Sequence, residues 1–75
     1  MRAIDVLNAA KRTFDGYGDE SYAKSKSNAF LRRCGATIEM GPDQEIGMDS
    51  VKRVCFAMLD AHSEELFWSH LRRSD

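Results

Sequence analysis

The chain contains little of what marks membrane or secreted proteins. Its 75 residues include one proline and two cysteines, and its aromatic side chains are four Phe, two Tyr and one Trp. No apolar run approaches the ~20 residues that cross a bilayer. Residues 1–5 include an acid where a signal peptide needs an apolar run. We therefore expect a soluble, cytoplasmic protein that makes no membrane contact.

Motifs for catalysis and cofactor binding are also missing. The strings GxxxxGK, GxGxxG, GxSxG and HExxH do not occur. Cys34 and Cys55 lack the CxxC spacing of a metal knuckle and lie at apolar positions of predicted helices, which predicts buried thiols in a reducing compartment. A chain of 75 residues has little room for an ordinary substrate cleft. The sequence thus predicts no enzyme, no cofactor and no small-molecule substrate.

Two weaker arrangements of metal-ligating residues do not change this prediction. His62 follows Cys55 by two helical turns, which separates the side chains by about 10 Å, too far to share one zinc ion or a proton. In the acidic segment 43–49, Gly47 lies where the EF-hand calcium loop needs a ligand, and Met48 lies where it needs a glycine. We expect no metal site.

Helical periodicity is what the sequence does contain. Apolar residues recur at helical spacing over residues 2–14, then from about 20 to 34, and again from 50 to 73. Asp19 or Ser21 is expected to cap the second helix, and Asp49 or Ser50 the third. The sequence therefore predicts an all-α fold, a compact three- or four-helix domain that takes in residues 1–75 as a single helical domain.

Two parts of this prediction remain open. Residues 36–48 contain two glycines and the only proline, so they predict a connector, either irregular or with short β-like pieces. Four alternating apolar side chains are expected to hold it to the core: Ile38, Met40, Ile46 and Met48. Residues 63–65 resemble a new helix start, although a single bent helix over 50–73 is the alternative.

Charge is unevenly distributed along the chain. Residues 1–35 hold seven Lys and Arg against four Asp and Glu, whereas residues 36–75 hold four against eight. The second helix presents cations and an amide suited to phosphates and base edges: Lys24, Lys26, Asn28, Arg32 and Arg33. A small DNA- or RNA-binding regulator is the alternative function, and a solvated helical face is the simpler interpretation of the same residues.

The most suggestive residue is Phe56. It points away from the apolar stripe of its own helix, so it indicates a second surface. Large aromatics and arginine contribute most of the energy of many interfaces. The predicted protein-binding residues are Phe56, Trp68, Arg53, Arg72, Asp60 and Glu64. The two rings could instead complete the core, because so small a domain needs most of its aromatics inside.

These observations favour a small non-catalytic protein-binding module. Its partner would be another protein or a second copy, with a homodimer formed through the third and fourth helices. An adaptor fits this prediction, as does an inhibitor of the kind that phages and mobile elements direct at a host complex. Acidic side chains could imitate nucleic-acid phosphates toward a basic partner: Asp43, Glu45, Asp60, Glu64 and Glu65.

Overall fold

The protein is a helical bundle, seen in a computed structural model that describes residues 1–16 and 18–73. Those residues form four α-helices and one short 3₁₀ turn. The helices are α1 (Ala3–Asp15), α2 (Glu20–Arg33), α3 (Met48–Met58) and α4 (Ala61–Arg73), and the 3₁₀ turn is Ile38–Met40. The predicted all-α class is confirmed, in its four-helix form.

α1 makes the most extensive contacts with other helices. It packs along both α2 and α4, whereas α3 meets the other helices at fewer positions. The buried side of α1 carries Ala3, Val6, Ala9, Ala10 and Phe14. Alanine permits close approach of neighbouring helices, since the interaxial distance depends on the side chains at the contact.

The connector between α2 and α3 caps the start of α1. Arg2 makes no capping hydrogen bond with its side chain. Instead, the N–H of Ala3 donates to the carbonyl of Gln44 at 2.8 Å, and the N–H of Ile4 donates to Pro42 at 2.9 Å. Two of the N–H groups that a helix start leaves unpaired are thereby satisfied.

The apolar side chains of the connector divide into two groups. Ile46 is buried and Ile38 is half-buried against the core. Met40 is 65% exposed and Met48 is 50% exposed, so the prediction that all four hold the connector to the core is wrong for the two methionines. Met48 instead begins α3, where the helical period replaces the alternation on which the prediction relied.

α3 and α4 are separate helices. α3 ends at Met58, and Leu59 has an extended backbone with φ −121° and ψ 143°. The side chain of Asp60 then accepts a hydrogen bond from the N–H of Ser63 at 2.8 Å, which caps the new helix. The single bent helix is therefore wrong, and α4 begins at Ala61 rather than at residue 63.

The predicted cap is confirmed for α2 and wrong for α3. Asp19 caps α2 as predicted, because its carboxylate accepts from the N–H of Tyr22 at 3.2 Å. The predicted cap of α3 is wrong. Gly47 occupies that position with no side-chain hydrogen bond, and Asp49 and Ser50 lie within the helix.

Candidate interaction surface

Adjacent residues of α3 lie at opposite extremes of burial. Cys55 is completely buried, together with Val51 and Val54, whereas Phe56 is 88% exposed. A helix turns by about 100° per residue, so the position after a core residue can point to solvent. The off-core direction predicted for Phe56 is the one that the structure shows.

Phe56 lies at the centre of what we call the outer face of α3. The six residues of this face are all exposed: Met48, Asp49, Lys52, Arg53, Phe56 and Ala57. Met48, Lys52 and Phe56 are spaced at i, i+4 and i+8, which aligns them along the helix. Met48 is not in the predicted interface set, because the alternation of apolar residues over 36–48 places it in the connector.

Trp68 has a different environment from Phe56. Its ring is half-buried against the core, edge-on to Phe67 with 5.1 Å between centroids. Its indole N–H donates to the Glu64 carboxylate one turn earlier, at 3.1 Å. Both Trp68 and Glu64 thus take part in contacts that stabilise α4 itself.

Two other predicted interface residues lie on α4 or at its start. Asp60 is exposed. Its carboxylate accepts a hydrogen bond from the N–H of Ser63, which lowers the pKa of the carboxyl group. Arg72 lies in a shallow cleft of α4 with His62, Glu65, Leu66 and Ser69. That cleft shares no lining residue with the cleft that contains Arg53.

Most of the acidic residues predicted to imitate phosphates have partners within the protein. The Glu45 carboxylate accepts from the ammonium group of Met1, and the Asp43 carboxylate lies 3.5 Å from a guanidinium nitrogen of Arg2. Asp60 and Glu64 make the contacts described above. Within residues 1–16 and 18–73, only Glu65 of this acidic set lacks an intramolecular polar partner.

The basic residues of α2 fall into two groups on different sides of the helix. Asn28 and Arg32 line a cleft of about 290 Å³ toward the 3₁₀ turn, where Glu39 is also present. The Asn28 amide donates to the carbonyl of Lys24 at 2.9 Å, so part of its donor capacity is used within the helix. Lys26 and Arg33 line other clefts, toward α3. The five residues therefore do not form one continuous base-reading face.

The clefts on the α3 side form what we call the α2–α3 trough. One cleft, of about 340 Å³, is lined by Arg33, Arg53, Val54 and Ala57. The other, of about 260 Å³, is lined by Phe14, Tyr22, Lys26, Arg33, Ala57 and Met58. Because they share Arg33 and Ala57, they join along the seam between the two helices.

Cys55 is buried as predicted, whereas Cys34 is only half-buried against the core, so the prediction of a buried thiol is wrong for Cys34. Burial raises the pKa of Cys34 to about 11 and that of Cys55 to about 12, although the positive charge of Arg53 partly opposes the shift at Cys34. A thiol with so high a pKa is protonated near neutral pH and is a poor nucleophile. Within the described part of the chain, no three His, Cys, Asp or Glu residues are grouped so as to hold a metal ion.

Comparisons with known proteins assign the chain to no family. No protein-family model matches it, and no curated protein or solved structure does so. None of the helices in residues 1–16 and 18–73 has the length and apolar content needed to cross a membrane.

Proposed function

We propose that this protein is a non-catalytic binding module that holds another protein through the outer face of α3, with Phe56 at its centre. The 88% exposure of Phe56 is the observation that supports the proposal most directly. Burial of a phenylalanine side chain is worth about 1.5–3 kcal/mol. A partner that covers this ring gains that free energy, which the isolated fold does not use.

The neighbours of Phe56 suit an interface. Lys52 and Arg53 lie one turn before it, and interface centres are enriched in aromatic residues and arginine. Met48, on the same face, has a flexible thioether side chain that adapts to different partner surfaces. Together they give an apolar centre with charged neighbours.

The core of the protein is already filled by other rings. Phe30 and Phe67 are completely buried and contact each other. Phe56 is therefore not needed to complete the interior, which supports a role toward a partner. A module of this kind acts by occupying its target, as an adaptor or as an inhibitor of a larger complex. A homodimer through the same face is the version in which the partner is a second copy.

Capture with a matched pair of variants tests the proposal. Phe56→Ser removes the exposed ring of α3, and Met40→Ser removes an exposed apolar side chain of the 3₁₀ turn. Wild-type protein, used as bait in an extract of its native cells, should retain a protein after nuclease treatment. The captured protein, once identified and purified, should bind Phe56→Ser about 30-fold more weakly, the equivalent of about 2 kcal/mol. Met40→Ser should bind like wild type.

The same experiment separates the alternatives. Light scattering of the purified chain shows whether the partner is a second copy. Retention that disappears after nuclease treatment would favour the nucleic-acid regulator instead. Equal binding by Phe56→Ser and wild type would contradict the proposal.

A further inference from the structure

We propose that the α2–α3 trough binds an acidic segment of the partner protein, a peptide that carries both carboxylates and apolar side chains. This inference rests on the proposed function and adds the chemistry of the partner to it. Three features of the trough support it: its cations, which form no ion pair among the described residues, the apolar surface of the cleft at Arg53, and the continuity of the trough with the outer face of α3.

The charges of the trough are all of one sign. Lys26, Arg33 and Arg53 line it, and its lining includes no carboxylate from the described residues. Among residues 1–16 and 18–73, only two cations form ion pairs, the ammonium group of Met1 and the guanidinium group of Arg2. The three cations of the trough are therefore available to carboxylates of a partner, and complementary charge also speeds association.

The lining between these cations is mainly apolar in the cleft that holds Arg53 and mainly polar in the cleft that holds Lys26. Ala57 is exposed and Met58 is half-buried along the trough, whereas Val54 and the ring of Phe14 lie buried beneath it. Aliphatic surfaces of this kind take up the apolar side chains of a peptide. The trough thus combines the two contacts that an acidic amphipathic segment requires.

A peptide fits these features better than a nucleic acid does. Single-stranded nucleic acids bind through exposed aromatic rings on which successive bases stack. Tyr22 is the aromatic residue of the trough with substantial exposure, and the ammonium group of Lys26 already lies 5.6 Å from its ring centroid.

The trough and the outer face of α3 share two residues. Ala57 and Arg53 belong to both, and Phe56 is the residue before Ala57. A single partner can therefore cover Phe56 with one part of its surface and place an acidic segment along the trough with another.

Fluorescence anisotropy with defined probes tests the inference. The first probe is a short labelled peptide of glutamate and leucine, the second has lysine in place of glutamate, and the third is oligothymidylate. Only the glutamate peptide should bind, and added salt should weaken it. Arg33→Gln should raise its Kd about tenfold, a loss of about one well-placed charge contact. Lys11→Gln, on α1 outside the trough, should leave the Kd unchanged.

Other outcomes would overturn the inference. These are no binding of the glutamate peptide, equal binding of the lysine peptide, tighter binding of oligothymidylate, or a dimer whose interface occupies the trough. Arg53→Gln provides a second trough variant, and circular dichroism of each variant verifies that it remains helical.

Phe56→Ser distinguishes this inference from the proposed function. The variant should bind the glutamate peptide normally while losing the captured protein. Peptide binding without any Phe56-dependent partner would count against the proposed function alone. The opposite outcome would count against the trough alone. In that case a partner is captured that depends on Phe56, the Arg33→Gln variant binds this partner normally, and the glutamate peptide does not bind.

Discussion

The rings of Phe30 and Phe67 lie 5.1 Å apart, centroid to centroid, with their planes tilted by 35°. Both side chains are completely buried. Phe30 belongs to α2 and Phe67 to α4, so this pair joins two helices that are separated along the chain by α3 and the connector.

Removal of one of these rings should severely destabilise the fold. Phe67→Ala should lower the free energy of unfolding by about 3–5 kcal/mol, through lost burial and the cavity that remains. Domains have only about 5–15 kcal/mol in total, so much of the variant should be unfolded in mild urea. Urea denaturation followed by circular dichroism measures the change. A loss below about 1 kcal/mol would mean that the core closes around the gap.

Phe56→Ala should behave in the opposite way. The ring is exposed, so its removal should change the free energy of unfolding by no more than about 0.5 kcal/mol. The same urea titration, run beside Phe67→Ala, provides the comparison. A large destabilisation would show that Phe56 is covered within the protein's own fold, and it would remove the main support for the interface.

Trp68→Phe should give an intermediate result. The variant loses the hydrogen bond from the indole N–H to Glu64, which is worth about 0.5–1.5 kcal/mol. A double-mutant cycle with Glu64→Ala should show coupling between the two residues in the free protein. Zero coupling would return Trp68 to the set of residues available for a partner.

Asp60 should make stability depend on pH. Its pKa is lowered from 3.8 by the N–H of Ser63, so the folded state favours the ionised form. The resulting stability is fully present above the unfolded pKa and is lost as the pH falls through the lower folded pKa. Asp60→Asn cannot ionise, so the difference in urea midpoint between wild type and this variant should shrink in acid. A constant difference would contradict the capping role.

The two cysteines should react slowly with a thiol reagent at neutral pH. Their pKa values of about 11 and 12 keep both protonated, and the thiolate is the reactive form. The half-buried Cys34 should react before the buried Cys55, and both should react quickly in urea. Cys34→Ser leaves Cys55 as the reactive thiol, so this variant shows which cysteine gives the slower phase of the reaction. Fast reaction of Cys55 in the native protein would mean that α3 opens readily.

Periodicity predicted some of these features well. The positions of α1 and α2 follow from apolar residues at helical spacing and from Asp19 as a cap. The exposure of Phe56 follows from the same period, because the residue lies opposite Val51 and Val54 on the helical wheel. Each of these predictions depends on residues of one helix and on no information about its neighbours.

The division between α3 and α4 was harder to locate. The two residues between the helices are Leu59 and Asp60. Neither is a glycine or a proline, the residue types that usually end a helix. The hydrogen bond from Ser63 to Asp60 could have been predicted from the capping preference of aspartate. Asp60 was instead interpreted as an interface residue, because it follows Phe56 by one turn.

Helical composition, the off-core direction of Phe56 and the uneven charge were determined by the sequence itself, since each is a local property of residue type and spacing. The tertiary structure decided which residues are neighbours. It placed Trp68 against the core and brought Arg33 of α2 into one cleft with Arg53 of α3, which forms part of the α2–α3 trough. Such pairings depend on how helices pack against one another, and the residues that meet there are distant along the chain, so no local pattern records them.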